Sequence, residues 1–284
     1  MHKLLALCLF CSIFVSSCSS KKNDNKKNVE TEEQQAKAVR ENVVESFRAS
    51  AINVQLHTWG ETFPEGLLSD VTRSHHYLQL ENQGAAAVNL GIYISDLGLA
   101  VEFNKSPEVQ RYFDACFLLA DYVGMKKQFS KVVSLQFPEI ISGNENMDGS
   151  LDRLFDNAQN TTDEFKRMHA AALAGYYIEE LYHLVKFVQS ASADNDHQAR
   201  LTSLKLVLDQ SSALSNLVRY FDHLKLKPQG ITVYQNFLSL QAKYLTSGIA
   251  GLRHETDPLI ILQNKDFQEL ASQIVVTRRS ITDL

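Results

Sequence analysis

The sequence predicts an all-α fold, a multi-helix bundle with no β-sheet, and three observations lead to this class. Only 12 Gly and 5 Pro occur among the 284 residues, so few residues interrupt a helix. Leu and Ala are the commonest apolar residues, and both favour helices. Apolar and polar residues do not alternate with period two over any useful length. The chain is therefore expected to bury its core between helices.

Residues 1–17, MHKLLALCLFCSIFVSS, are predicted to be a lipoprotein signal peptide. The apolar stretch from Leu4 to Val15 has the length of a secretory signal and is too short to span a bilayer, which needs about 20 residues. Residues 15–18, Val-Ser-Ser-Cys, resemble the bacterial lipobox, whose cysteine becomes diacylated. We therefore expect lipidation at Cys18, which would attach the protein to a membrane. The alternative is an ordinary cleaved signal in which this cysteine has no role.

The positions of the cysteines agree with this processing. Cys8 and Cys11 form a C-x-x-C pair that would suggest redox or metal chemistry in a cytosolic domain, but both lie inside the signal peptide. The mature chain keeps only Cys18, blocked by lipid, and Cys116. No disulfide is then expected within one chain, so the fold depends on its hydrophobic core.

Residues 18–38 are predicted to be a lipidated cysteine followed by a disordered tether, because they carry many charges and few apolar residues. Residues 39–284 are expected to form a single all-helical domain. The tether begins with lysines rather than the acidic run that sends some Bacteroidota lipoproteins to the cell surface. Ser19 is also not the aspartate that retains lipoproteins in the inner membrane of enterobacteria. The expected location is the outer membrane, with the periplasmic face favoured over the cell surface.

The charge of the chain limits its partners. The formal net charge is −5, and no basic patch exceeds the lysines of the tether. A nucleic-acid partner is not expected, because binding to phosphates depends on clustered Lys and Arg. The partners that remain are the membrane, through the N-terminal lipid, and a protein or peptide.

Breaker and capping residues set the boundaries of the predicted helices. Ser106-Pro107 indicates an N-cap followed by proline in the first turn, and Gly124 indicates a helix end. Thr161-Thr162-Asp163-Glu164 has the T-x-x-E form of a capping box, and Asp257-Pro258 opens a late segment. Residues 59–78 are expected to be a loop with one short turn at most. The predicted helices cover residues 31–58, 79–103, 107–123, 126–136, 150–158, 162–190, 196–224, 230–250 and 264–282.

Two predicted helices are apolar or small on almost every side. They contain residues 85–101 and 170–188, and such helices are typical of the buried middle of a bundle. At an offset of 84 residues the two helices align, and matched positions include Gly91 with Gly175, Tyr93 with Tyr177, and Asp96 with Glu180. Two explanations stay open. One is duplication of a three-helix unit over 79–141 and 162–250, in a TPR-like or imelysin-like arrangement, and the other is convergence of two buried helices.

These helices also carry a resemblance to a known family. Residues 89–125, NLGIYISDLGLAVEFNKSPEVQRYFDACFLLADYVGM, and residues 174–188, AGYYIEELYHLVKFV, resemble a family of helical Bacteroidota lipoproteins without an assigned activity. That family has a G-x-Y-x-x-D-L stretch, a helix ending in L-A-x-x-L-G-I, and a later G-x-x-x-E-x-L-Y stretch. The chain departs from the pattern at residues 122–125 and at Tyr177. The resemblance implies a helical fold and a membrane address but no reaction.

Five side chains on the two apolar helices are the candidate ligand-binding residues: Tyr93, Asp96, Tyr177, Glu180 and His183. A carboxylate on a mostly apolar helix is costly unless it is paired or binds a ligand. Glu180 and His183 have E-x-x-H spacing, but a di-iron bundle needs a second such pair and two further carboxylates. Tyr177 also stands where imelysin-like lipoproteins have the histidine of a G-x-H-x-x-E stretch. No metal site and no cofactor are therefore predicted.

No catalytic residue is predicted either. The chain has no G-x-S-x-G, Walker A loop, H-E-x-x-H or glycine-rich dinucleotide turn. The sequence therefore favours a non-enzymatic adaptor or scaffold on the outer membrane, which binds a partner in a groove between its helical units. The alternative is a protein that binds a small ligand or metal through the buried acids Asp96 and Glu180. Convergence of these acids on a cavity would favour the alternative, and separate pairing with neighbouring groups would favour the adaptor.

Overall fold

The computed structural model describes residues 34, 66–79, 82–103, 106–130, 162–190, 197–224 and 231–282. Every regular element in these ranges is a helix, so the predicted all-α fold without a sheet is confirmed for them. The signal peptide, Cys18, the predicted helix 150–158 and, apart from residue 34, the tether and the predicted helix 31–58 lie outside the described residues.

Ten α-helices and one 3₁₀ turn have bounds within the described ranges. The 3₁₀ turn is Val71–Arg73, and the helices are α1 Ser74–Gln79, α2 Gln83–Glu102, α3 Ser106–Tyr122, α4 Asp163–Ser190, α5 His197–Leu208, α6 Ser211–His223, α7 Ile231–Tyr244, α8 Ser247–Leu252, α9 Pro258–Gln263 and α10 Lys265–Thr282. A further helix begins at residue 126 and is described as far as residue 130. It follows Gly124, whose φ of +76° is the left-handed conformation of a helix C-terminus.

Helices α2 and α4 form the centre of the described bundle. Both are buried on nearly every side, as their sequences predict. Within the described ranges, residues Gln83–Val101 of α2 form the one helical stretch long and apolar enough to cross a membrane, and 89% of that window is buried inside the protein. The core helix of a bundle can have the same length and composition, and α2 is such a buried helix.

The two central helices cross at two glycines. A Cβ atom on Gly91 would lie 1.8 Å from the carbonyl oxygen of Ala172, and a Cβ atom on Gly175 would lie 1.8 Å from that of Val88. Glycine is therefore required at both positions, because any side chain would overlap the opposing backbone. Val88 and Ala172 are themselves 84 residues apart, so the two contacts are equivalent under the sequence offset. The reciprocal contact supports the alignment of these two helices, while duplication of the whole units stays a prediction.

Helix α10 packs against α4 and α7, and its buried residues recur every three or four positions. This face contains Phe267, Leu270, Ala271, Ile274, Thr277 and Ile281. Arg278 follows Ile274 by one turn and therefore points from α10 towards α4. Helix α3 packs on the other side of the centre, against α2.

The segment before α2 is more helical than the sequence suggested. Residues 59–78 were expected to be a loop, but Ser74–Gln79 is an α-helix that continues from the 3₁₀ turn. The Asp70 side chain caps this turn by accepting a hydrogen bond from the Thr72 backbone nitrogen at 3.0 Å. The buried Tyr77 hydroxyl then donates to the Thr282 carbonyl, which fixes α1 against the end of α10.

The predicted single helix over 196–224 is wrong, because α5 ends at Leu208 and α6 begins at Ser211. Carbonyl groups at the break accept hydrogen bonds from distant side chains: Val207 from Tyr244, Leu208 from Arg253, and Gln210 from Tyr177. The bonds to Val207 and Leu208 satisfy carbonyls at the end of α5, whereas the Gln210 carbonyl also accepts from the Leu214 nitrogen of α6. No glycine or proline is therefore needed to end α5.

Of three further boundaries, the second agrees with the prediction and the other two differ from it. The span 230–250 is divided into α7 and α8, and the Thr246 hydroxyl between them donates to the Lys243 carbonyl at the end of α7. Asp257 and Pro258 open a separate short helix, α9, with the Asp257 carboxylate accepting from the Leu259 nitrogen at 2.8 Å. At the start of α4 the capping side chain is Thr162, whose hydroxyl accepts from the Phe165 nitrogen at 3.2 Å.

A buried charge cluster as the candidate functional site

Four ionisable side chains from three helices meet beside the crossing of α2 and α4. Asp96 comes from α2, Glu179 and His183 from α4, and Arg278 from α10. Glu179 and His183 are four residues apart and therefore share one face of α4. Asp96 and Glu179 have no solvent exposure and His183 has 1%. We call these four residues the charge cluster.

His183 lies between the two carboxylates of the charge cluster. Its Nε2 atom is 3.1 Å from Asp96 Oδ1 and 3.4 Å from Glu179 Oε1. Its Nδ1 atom is 3.4 Å from the hydroxyl of Ser95, which in turn donates to Glu180 Oε1 at 2.7 Å. Both ring nitrogens therefore face oxygen atoms.

Arg278 binds the second carboxylate through two nitrogens. Its Nε donates to Glu179 Oε2 and its Nη2 to Glu179 Oε1, both at 2.8 Å. This bidentate geometry is the strongest form of an arginine–carboxylate pair. The guanidinium also lies over the Tyr182 ring, 4.1 Å from its centroid, and donates to the Ser69 hydroxyl at 2.6 Å. Arg278 thereby joins α10 to α4 and to the segment before α1.

The segment at Ser69 and Asp70 is held through its backbone. The Ser69 nitrogen donates to Asp96 Oδ2 at 3.0 Å, and the Ser69 carbonyl accepts from the Tyr112 hydroxyl. The Asp70 carbonyl accepts from the Tyr93 hydroxyl at 3.0 Å. Because Asp96 uses its second oxygen for Ser69, both oxygens of this buried carboxylate have a donor.

The surroundings shift the acidities of the charge cluster in opposite directions. Burial alone would raise the pKa of Glu179, but the Arg278 guanidinium and His183 outweigh it and lower the pKa to about 2. Burial alone would lower the pKa of His183, but its hydrogen bonds with Asp96 and Glu179 and their negative charges raise the pKa to about 10. Burial and the charge of Glu179 raise the pKa of Asp96, against the hydrogen bond with His183.

The hydrogen bonds around His183 favour its doubly protonated form. The Ser95 hydroxyl donates its proton to Glu180, so the Ser95 oxygen is left to accept from Nδ1–H. The Nε2–H then donates to the carboxylates of Asp96 and Glu179. In this form two carboxylates and two cations balance each other within the charge cluster.

Ser95, His183 and Asp96 have the residue types of a hydrolase triad, but they cannot act as one. The Ser95 hydroxyl gives its proton to Glu180 rather than to the imidazole, and a doubly protonated His183 has no lone pair to accept a proton. Ser95 and His183 are each 1% exposed, so a substrate has no access to the hydroxyl.

The structure brings together only part of the predicted site. Asp96 and His183 are in direct contact, and Glu180 joins them through Ser95. Tyr93 contacts the neighbouring backbone of Asp70, whereas the Tyr177 hydroxyl donates to the Gln210 carbonyl at the break between α5 and α6. Asp96 and Glu180 thus have separate hydrogen-bond donors.

Three members of the site were missed from the sequence: Glu179, Arg278 and Ser69. The offset of 84 residues matches Asp96 with Glu180, so the alignment indicated Glu180 and not Glu179. The G-x-x-x-E-x-L-Y pattern indicates Glu179, because its glutamate is Glu179 when its glycine is Gly175. No sequence pattern connects Arg278 or Ser69 with α4.

Asp96, Glu179 and His183 also have the composition of a metal site. One carboxylate oxygen of each acid and a ring nitrogen of His183 lie within 4.8 Å of one another, and all three residues are buried. The sequence predicted no metal site, because it lacks the second E-x-x-H pair of a di-iron bundle and has Tyr177 where imelysin-like lipoproteins have a histidine. Glu179 was not among the predicted site residues.

Comparisons of the chain with protein-family models, with curated proteins and with solved structures find no match. The resemblance to helical Bacteroidota lipoproteins therefore stays a prediction.

Proposed function

We propose that the protein is a lipid-anchored helical scaffold that acts without catalysis on the periplasmic face of the outer membrane. Its anchor would be the diacylated Cys18, and residues 19–38 would be the tether between the membrane and the helical domain. Its partner would be a protein or peptide rather than a nucleic acid, since the chain has net charge −5 and no large basic patch.

One observation carries the non-enzymatic part of this proposal. Asp96, Glu179 and His183 are buried, and the Arg278 side chain is 15% exposed. The four side chains bond to each other, and Asp96 and Glu180 have separate donors in His183 and Ser95. Catalytic groups must reach a substrate, and these do not. A closed network of this kind fixes how α2, α4 and α10 pack, which is a structural task.

The anchor is tested by replacing the predicted lipidated residue. The full-length Cys18→Ser variant should remain an unprocessed precursor and should incorporate no labelled palmitate, whereas the wild-type chain should be labelled and should fractionate with the outer membrane. Protease added to intact cells should leave the wild-type protein uncut if it faces the periplasm. Normal processing of the variant would refute the lipid anchor, and digestion in intact cells would refute the periplasmic orientation.

The scaffold role is tested by separating stability from partner binding. Asp96→Asn and Glu180→Gln should lower the melting temperature, while the folded fraction should keep the same crosslinked partner in cells as the wild-type protein. If both variants instead keep wild-type stability and lose a bound ligand, the buried acids serve binding and the scaffold proposal is wrong.

A further inference from the structure

We propose that Asp96, Glu179 and His183 form a buried binding site for one divalent first-row transition-metal ion. The ion would stabilise the packing of α2 against α4 rather than contact a partner, so its loss is expected to lower stability and to leave partner binding by the folded protein unchanged. The proposal rests on the spacing of the three ligand atoms, on the groups that orient them, and on their burial.

The spacing of the ligand atoms suits a single ion. The His183 Nε2 atom is 3.1 Å from Asp96 Oδ1 and 3.4 Å from Glu179 Oε1, and all three ligand atoms lie within 4.8 Å of each other. Ligand atoms about 2.0–2.2 Å from a common metal are separated by about 3 Å or somewhat more. Small side-chain shifts would therefore place all three around one ion, with no change in the helices.

Each of the three ligand side chains is oriented by a hydrogen bond with a group that is not itself a ligand, as in known metal sites. The His183 Nδ1 atom faces the Ser95 hydroxyl, which leaves Nε2 directed at the two carboxylates. Asp96 is held through its other oxygen by the Ser69 nitrogen. Glu179 is held by Arg278, which is itself packed on Tyr182. The three ligands are thus fixed by groups that are not ligands.

The donor set points to a class of ion. One imidazole and two carboxylates suit Zn²⁺, Mn²⁺ or Fe²⁺, whereas Ca²⁺ prefers an all-oxygen shell and Cu⁺ prefers sulfur. The three ligands are buried, and an ion with three protein ligands keeps a fourth position for a water molecule or for a second carboxylate oxygen.

The positive charge of Arg278 lies close to the proposed metal site and would repel the ion. The two bonds of Arg278 to Glu179 nevertheless leave this carboxylate anionic and directed at the charge cluster. The Ser95-linked Glu180 places a further carboxyl group beside His183, on the side away from Arg278's bonds to Glu179. A metal titration of the purified chain must therefore first show that a saturable site exists, and then give its affinity.

The test uses the full chain, purified in detergent and freed of metal by chelation. Addition of Zn²⁺ or Mn²⁺ should show one saturable site by calorimetry and should raise the melting temperature by about 5 °C or more. His183→Gln should weaken binding at least about 100-fold, while Glu269→Gln, on the surface of α10 and away from the charge cluster, should bind as the wild type does. Absence of a saturable site, or equal binding by His183→Gln, would overturn the proposal.

A second measurement avoids dependence on a variant that fails to fold. Co²⁺ added to the metal-free wild-type chain should give the intense visible absorption of a four- or five-coordinate ion bound to protein side chains. The pale spectrum of hexahydrated Co²⁺ would overturn the proposal.

Discussion

Helices α2 and α4 share one backbone arrangement but differ in their chemistry. Each has a glycine at the crossing, and each glycine faces the carbonyl oxygen of the residue three positions before the other glycine. Beyond the crossing, α2 carries Ser95 and Leu99 where α4 carries Glu179 and His183. The ionic groups are therefore concentrated on α4, the helix that α10 reaches with Arg278. The comparison shows that two helices with the same packing geometry at their crossing can carry different polar groups beyond it.

The largest expected effect tests the shared geometry. Gly91→Ala and Gly175→Ala would each place a Cβ atom 1.8 Å from a backbone carbonyl oxygen, so the helices must separate along their whole contact. We expect each variant to lose more than about 5 kcal/mol, enough to unfold a domain of ordinary stability. Circular dichroism on chemical denaturation measures this loss.

Gly251→Ala is the matched control, because nothing lies within 4 Å of a Cβ atom at that helical position. It should be neutral or stabilising by up to about 1 kcal/mol. If Gly91→Ala and Gly175→Ala differed widely, or if either matched Gly251→Ala, the reciprocal crossing would be disproved.

The second prediction tests the chemical difference at one matched position. Glu179→Gln would leave the largely buried Arg278 guanidinium without its anion and His183 with Asp96 alone, and we expect a loss of about 3–5 kcal/mol. Ser95→Ala, at the equivalent position of α2, removes only a hydroxyl that bridges His183 and Glu180, and should cost about 1–3 kcal/mol. Urea denaturation measures the free energy of unfolding of both variants. Equal losses would show that the ionic bonds of Glu179 contribute no more to stability than the Ser95 hydroxyl does.

The third prediction concerns pH in the metal-free protein. The folded pKa of His183 is about 10, above its ordinary value of 6.5, so its contribution to stability is complete below pH 6.5 and is lost as the pH rises towards 10. Asp96, whose pKa is also raised, changes stability in the same direction as the pH rises. The free energy of unfolding should fall by on the order of 3 kcal/mol across this window.

His183→Gln removes the titrating group and serves as the control for that pH series. Its stability should change much less between pH 6.5 and 10 than that of the wild type. The same slope in both proteins would assign the alkaline loss to other groups.

The smallest expected effect compares the two aligned tyrosines. Tyr93 of α2 donates to the Asp70 carbonyl at 3.0 Å, and Tyr177 of α4 donates to the Gln210 carbonyl at 3.3 Å. The two aligned hydroxyl groups therefore contact different segments of the chain. Tyr93→Phe and Tyr177→Phe should each cost about 1 kcal/mol, the net value of one hydrogen bond. Hydrogen exchange should rise near residues 69–71 in the first variant and near residues 208–211 in the second. Increased exchange in the other region would contradict these contacts.

The centre of the fold could be predicted from the sequence because its signals are local. The apolar character of α2 and α4 predicted burial, and a mid-helix glycine at both aligned positions predicted close approach, since glycine is costly inside a helix. Asp96 was also expected to need a donor. Each of these inferences required only neighbouring residues.

The rest depended on contacts between distant parts of the chain. The break between α5 and α6 has no glycine or proline, and its carbonyl partners include Arg253, 45 residues from Leu208. Arg278 lies 99 residues from Glu179, and no helical period relates the two. Glu180 was predicted as a site residue because it aligns with Asp96. In the structure it is Glu179, the acid that faces α10, which binds Arg278.

The protonation of His183 tests the central claim, that the charges on α4 form a closed network in the protein interior. Nitrogen-15 NMR of the ring, recorded on the metal-free wild-type chain at neutral pH, reports the state of each nitrogen separately. The account predicts that Nδ1 and Nε2 are both protonated and stay so until the pH approaches about 10. A neutral ring at pH 7.5, with one nitrogen unprotonated, would contradict it.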